Sequence, residues 1–241
     1  MKRISSKILY EEFFGFLSAI TFLTIIRIHT NNFMPGKSVK YFPIVGLVIG
    51  FLLYLIGMFN HFLTPFLQLL MLIIITGALH IDGLADTSDA IFSHRGLTDK
   101  LRIMKDSHIG SMGVISIFVV LSLKLIALSH INNNIGLIFI PFYSRCAMIT
   151  AIYFLPYIRE NSLNKEFFVD KNILIFLPTG LTILATLFLS AHFFYFFLIT
   201  IMLSLFHIYF FKKVMKGLTG DMLGFICETT EAILLALLAL F

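Results

Sequence analysis

Residues 41–59, 63–79, 112–130, 136–157, 173–190, 193–211 and 225–241 are apolar runs interrupted by short polar connections. A bilayer's hydrocarbon core is roughly 30 Å thick and asks for about 20 apolar residues per helical span, fewer where helices pack around a short one. Each run meets that demand or comes near it. An eighth, 13–28, is shorter, follows Glu11 and Glu12, and contains Arg27. At 59% hydrophobic and 13% charged, the chain carries more Phe, Leu and Ile than a soluble interior of this size can hold. The expected fold class is therefore all-α, a polytopic membrane helix bundle of about seven full spans plus an N-terminal interfacial or re-entrant helix. Helices are expected because a spanning segment must satisfy its own backbone polar groups. No linker or repeat divides the chain, so residues 1–241 are read as one domain.

Lys and Arg set the orientation. Loops 29–40, 80–111, 158–172 and 212–224 all carry them, whereas the connections near 60–62, 131–135 and 191–192 carry none. The positive-inside rule places the charged loops in the cytoplasm of a multi-pass protein of the cell (inner or plasma) membrane. Net charge is +5 without a basic stripe among exposed aromatics, so nucleic acid is not an expected partner and membrane lipid is. Cys146 and Cys227 lack motif spacing and are read as small buried hydrophobes.

The stretch from His80 to Gly113 breaks the apolar pattern. Asp82, Asp86, Asp89, Asp99 and Asp106 lie in it, five of the chain's 13 carboxylates, with Arg95, Lys100, Arg102 and Lys105. Asp82, Asp86 and Asp89 are spaced i, i+4, i+7, which puts them within about 60° of one another on a helix. Carboxylates so placed repel one another unless a cation sits between them. Hard divalent ions such as Mg²⁺ take oxygen ligands and complete their shell with water and substrate phosphates. A solvated acidic face is the bland alternative; the position directly after an apolar run favours metal. Asp106 is a further candidate ligand or base, and Arg102 and Lys105 are candidate phosphate holders. Gly110 and Gly113 would let backbone amides approach an anion at a helix start.

Outside this stretch, Asp221 sits among glycines in Gly217–Gly224, after Lys212, Lys213 and Lys216. It is either a turn residue or a member of the same pocket. Arg145, near the middle of 136–157, should face the bundle interior with an anionic partner. Lys124, nearer one end of its run, is expected to snorkel outward. Glu228 and Glu231 either line the cavity or sit at the interface. His207 is read as a satisfied polar residue.

The motifs HIDGLADTSDA and IMKDSHIGSMG resemble the signature of the cobalamin synthase, or adenosylcobinamide-GDP ribazoletransferase, family. YFPIVGLVIG at 41–50, the Ser144-Arg145 pair and LTGDMLG at 218–224 resemble further family blocks in the same order. The chain departs from that pattern at Ala90, Lys105 and His108, and at Ser162-Leu163-Asn164 after Arg159. The resemblance implies that the 3′-hydroxyl of α-ribazole, or of its 5′-phosphate, attacks adenosylcobinamide-GDP with Mg²⁺ as cofactor. It implies Asp82, Asp86, Asp89 and Asp106 as catalytic and metal residues. Arg102, Lys105 and Arg145 would hold phosphate, and His80 and Asp221 would shape the pocket. A homo-oligomer is left open.

The alternatives are another membrane phosphotransferase and, from a different class, a divalent metal carrier. Asp82-Gly83-Leu84-Ala85 resembles the start of the CDP-alcohol phosphotransferase motif, but its later Arg, Gly and paired Asp are missing. A divalent metal carrier would want its carboxylates within the spans, not gathered at one face.

Overall fold

A computed structural model describes residues 2–28, 32–131, 135–159, 163–168, 172–177, 179–180, 183–184 and 191–240. The α-helices run in the order α1 (Lys2–Leu23), α2 (Pro35–Ser38), α3 (Phe42–Gly57), α4 (Thr64–Ile75) and α5 (Leu79–Phe92). They continue with α6 (Leu97–Ile103), α7 (Ser111–His130), α8 (Ile140–Phe154), α9 (Ala191–Val214) and α10 (Gly220–Leu238). The β-type pairing among the described residues is a single parallel bridge between Tyr157 and Leu218.

Four helical segments are long and apolar enough to cross a membrane: Pro35–Gly57, Ser111–His130, Ile135–Phe154 and Phe193–Val214. They coincide with four of the expected spans. The expected run 63–79 is not one straight helix. It breaks after Ile75, and α4 and α5 meet at 83°. Gly77 and Ala78 adopt positive φ at this corner, which ends the helical ladder. The acidic helix therefore turns away from α4 instead of extending it.

α10 is not among the four, because Asp221, Glu228 and Glu231 interrupt its apolar face. Even so, it is the central helix of the bundle, packed against α5, α7 and α8. The expected span 173–190 lies largely outside the described residues. α1 packs on α2 and α3, with Glu12 ion-paired to Lys40, and is likewise not one of the four.

The main core joins residues from Ala19 to Leu238, with Phe42, Phe142, Tyr143, Phe211 and Leu235 fully enclosed. Many large apolar side chains remain exposed, among them Phe62, Phe118, Met202 and Tyr209. An outward-facing apolar surface of that extent is what lipid solvates. Cys146 and Cys227 are buried free thiols.

Candidate active site

The closest approach in the bundle that bears on chemistry is between α5 and the start of α10. A Cβ on Gly83 would collide with the backbone carbonyl of Asp221, and one on Gly224 would lie 2.7 Å from the carbonyl oxygen of His80. Glycine at both positions lets the two backbones touch. Asp221 is thereby carried to the acidic face of α5, although 132 residues separate it from Asp89 (221 − 89). Asp221 lies in the first turn of α10, within electrostatic reach of Asp82 and Asp86.

Asp82, Asp86 and Asp89 all lie on α5, as their spacing requires. Asp82 is exposed, while Asp86 is half-buried. Burial, then the carboxylates of Asp82 and Asp221, push the Asp86 carboxyl up to about 7, with Arg159 opposing. Arg159 was not among the residues singled out from the sequence as functional. Its Nη2 lies 2.8 Å from Asp221 Oδ2 and donates to the Met104 carbonyl at 3.3 Å. What brings it there is the bridge between Tyr157 and Leu218. Ile158 N donates to Leu218 O at 3.1 Å and Leu218 N to Pro156 O at 2.9 Å, pinning the chain after α8 beside the start of α10.

Asp89 is turned to a different task. Its Oδ2 accepts from Gly110 N at 2.7 Å and its Oδ1 from Gly113 N at 2.8 Å. The amides expected to greet an anion do so, and the anion is the protein's own carboxylate. It caps α7 where the helix's orphan N–H groups and dipole favour negative charge. A Cβ at Gly113 would lie 2.5 Å from Asp89 Oδ2, so the cradle needs its glycines.

Asp106, Arg102 and Lys105 make no ion pair or hydrogen bond with these carboxylates among the described residues. All three are exposed. Arg102 pairs with Asp99 at 3.0 Å. Asp106 accepts from His108 N at 3.0 Å and lies 2.7 Å from His108 Nδ1. Those contacts, the side-chain one foremost, hold the Asp106 carboxyl below its usual range.

Beneath the acidic group, His80 is 2% exposed, and neither ring nitrogen has a partner among the described residues. It lines a cavity of about 50 Å³ with Met148, Asp221 and Gly224. A cavity of that size accommodates water, which polar groups left unpaired would engage.

Deeper still lies a charged cluster. Lys124 Nζ stands 2.7 Å from both Glu228 Oε2 and Glu231 Oε2. Arg145 pairs with the other oxygen of Glu231, and Ser144 Oγ donates to that same oxygen at 3.1 Å. All four ionic side chains are at most 6% exposed. Arg145 thus faces inward with an anionic partner, as expected. Lys124 does not snorkel; α10 supplies two carboxylates that make the interior the better place for its charge. Glu228 and Glu231 neither line an open cavity nor sit at the interface. His207 Nε2 meets Thr229 Oγ1 at 3.2 Å, while its Nδ1 finds no partner among the described residues.

Among the described residues, no three His, Cys, Asp or Glu side chains converge closely enough to hold a metal ion by themselves. The donor set is nonetheless all carboxylate oxygen. Among the described residues, the carboxylates of Asp82, Asp86 and Asp221 are opposed by the one charge of Arg159, which leaves an excess of negative charge suited to a hard cation.

Comparison with known proteins finds relatives that match over most of the chain. Among relatives named adenosylcobinamide-GDP ribazoletransferase, that of Fusobacterium nucleatum is 32% identical over 91% of this chain and 94% of its own length. Those of Clostridioides difficile and Alkaliphilus metalliredigens are each 34% identical. The first alignment covers 91% of this chain and 95% of the relative; the second covers 90% and 91%. No solved structure matches. The family described as cobalamin-5-phosphate synthase matches residues 15–239, and the chain belongs to that family.

Proposed function

We propose that this protein joins adenosylcobinamide-GDP to α-ribazole or α-ribazole 5′-phosphate, giving adenosylcobalamin or its 5′-phosphate and GMP. The observation that carries the proposal is the contact of Gly83 on α5 with the Asp221 backbone on α10, which brings Asp221 within electrostatic reach of Asp82 and Asp86. It unites the acidic block HIDGLADTSDA with the later block LTGDMLG of the family resemblance.

The substrate's 3′-hydroxyl oxygen forms a bond to the phosphorus nearest the cobinamide arm. The bond from that phosphorus to the bridging oxygen breaks, and GMP leaves with the electron pair. One carboxylate of the group accepts the hydroxyl proton. Asp82 and Asp86, with Asp221 opposite, would hold Mg²⁺, since this ion is commonly bound by one or two carboxylates with phosphate oxygens and water completing its shell. When bound, it supplies charge neutralisation at the phosphate oxygens. Asp89 keeps α7 docked on α5, and so fixes the acidic helix that the substrate meets.

The acidic group faces the cytoplasm in this proposal, where the charged loops gather. Counting α10 and the run 173–190 as spans beside the four apolar helices and α4 gives seven. The internal pairing of Glu228 and Glu231 with Lys124 and Arg145 is what would make α10 tolerable there. It also argues against a metal carrier, because the carboxylates at depth are already neutralised by protein cations.

The test is GMP release by the purified protein, with and without Mg²⁺ and with each ribazole form. Release should require Mg²⁺, and Asp82→Asn and Asp86→Asn should abolish it while the protein still inserts. Full activity in either variant would overturn the assignment.

A further inference from the structure

The geometry points to Arg159 as the residue that clamps the substrate's diphosphate, with Asp221 as the place where its guanidinium is held until a divalent cation takes over that carboxylate. This rests on the proposed reaction and names a cation that pairs with the acidic group itself, a contact that Arg102, Lys105 and Arg145 do not make among the described residues. Arg102 is ion-paired on an exposed surface, Lys105 is exposed, and Arg145 is 1% exposed and committed to Glu231. Arg159 pairs with Asp221 at 2.8 Å and lies within electrostatic reach of Asp86.

Three observations fit a held cation better than a finished structural ion pair. First, both of its described polar contacts, to Asp221 and to the Met104 carbonyl, are made through Nη2. Its Nε is buried and has no partner among the described residues. An arginine presents five N–H donors in a planar fork, and a bidentate anion is what satisfies such a fork. Second, its backbone is pinned by the Tyr157–Leu218 bridge, so a change of partner needs only side-chain rotation. Third, the carboxylate it neutralises belongs to the group that best suits a cation. A divalent ion arriving among Asp82, Asp86 and Asp221 would repel the guanidinium and weaken its hold on Asp221. Phosphate oxygens of a substrate held beside those carboxylates would then offer the freed fork a bidentate partner.

This predicts competition. Mg²⁺ should strengthen the binding of a diphosphate not only by its own coordination but also by releasing Arg159. The experiment uses full-length purified protein and GDP as the probe, with calorimetric titration at zero and saturating Mg²⁺ and a melting curve for each variant. Arg159→Gln should weaken GDP binding in Mg²⁺ by about tenfold or more, the size of one lost charge-assisted contact. Arg159→Lys should fall between it and the wild type, because charge is kept and the fork is lost. Asp221→Asn frees the guanidinium, so Mg²⁺-free GDP binding should tighten several-fold over wild type.

GDP binding by Arg159→Gln equal to that of wild type overturns the inference, as does wild-type protein that binds no GDP. Should Arg159→Gln fail to fold, Asp221→Asn decides. Unchanged Mg²⁺-free affinity in that variant overturns the inference, and tightened affinity upholds it. A parallel assay of GMP release from adenosylcobinamide-GDP by wild type keeps the two questions separate. No release with Arg159-dependent GDP binding defeats the proposed reaction and leaves the clamp. Release with Arg159-independent binding does the reverse.

Discussion

Lys124 Nζ of α7 and Glu231 Oε2 of α10 meet at 2.7 Å with both side chains 2% exposed. Glu231 also takes Arg145, and Lys124 also takes Glu228, so two cations and two anions close into a neutral unit joining α7, α8 and α10. Burying charges together is no great source of stability, but removing one member strands another in a medium that cannot solvate it. Lys124→Met should therefore destabilise the folded protein by roughly 3–5 kcal/mol. Lys124→Met with Glu228→Gln, which restores neutrality, should recover much of that loss. Thermal melting in detergent reads both, and equal damage in the single and double variants would mean that the lysine's stem, not its charge, matters.

The glycine contact between α5 and α10 makes a sharper demand on geometry. Gly83→Ala would push a methyl into the Asp221 carbonyl, and the helices must part by a few tenths of an ångström or more. Overpacking of that kind costs about 1–3 kcal/mol. Misplacing reacting groups by an ångström lowers rate on the order of 100-fold. Activity should thus fall much further than stability. Gly96→Ala is the control, since a Cβ there meets nothing within 4 Å. Comparable activity in the two variants would show that the contact does not position the site.

Asp89 and Asp82 sit seven residues apart on one helix, yet their contacts differ. Both Asp89 oxygens are held by amides at the start of α7, whereas Asp82 is exposed beside Asp86. Asp89→Ala should cost roughly 2 kcal/mol of stability, the scale of hydrogen bonds to a charged acceptor, and Asp89→Asn part of that. The Mg²⁺ concentration giving half-maximal GMP release should hardly change in Asp89→Asn. Asp82→Asn should do the opposite, leaving melting nearly unchanged while removing the Mg²⁺ response. A shifted Mg²⁺ requirement in Asp89→Asn would return that residue to the ligand set.

What was legible in the sequence was whatever depends on local spacing. The i, i+4, i+7 acids needed only a helix to share a face, and Arg145, in mid-span, had nowhere to go but inward. Long-range partners were out of reach. Lys124 was expected to snorkel because its two carboxylates lie 104 and 107 residues away. Arg159 comes to Asp221 through a backbone bridge that carries no side-chain signature. The glycines of 110–113 did announce an anion, but pattern alone could not tell a substrate phosphate from Asp89. The break after Ile75 was hidden by the continuous apolarity of 63–79, since Ala78 in a left-handed conformation looks like any helical alanine.

The acidic group also predicts a pH response. Burial first, with Asp82 and Asp221 adding, raises the Asp86 carboxyl from 3.8 to about 7. In the unfolded chain it titrates near its ordinary value. Over that interval the folded protein keeps a proton that the unfolded chain has released, so the unfolded state binds fewer protons and stability falls as pH rises. The contribution of Asp86 is fully present below the unfolded value of 3.8 and is lost as pH climbs through about 7. Metal-free protein should accordingly melt at a lower temperature at pH 8 than at pH 5. Asp86→Asn carries no proton to lose and should flatten that slope. Mg²⁺ favours the ionised carboxylates, so it should raise the melting temperature more at pH 8 than at pH 5. Melting curves across this range, with and without Mg²⁺, read both effects. An unaltered slope in Asp86→Asn would place the titrating group elsewhere, and an Mg²⁺ effect independent of pH would separate the ion from these carboxylates.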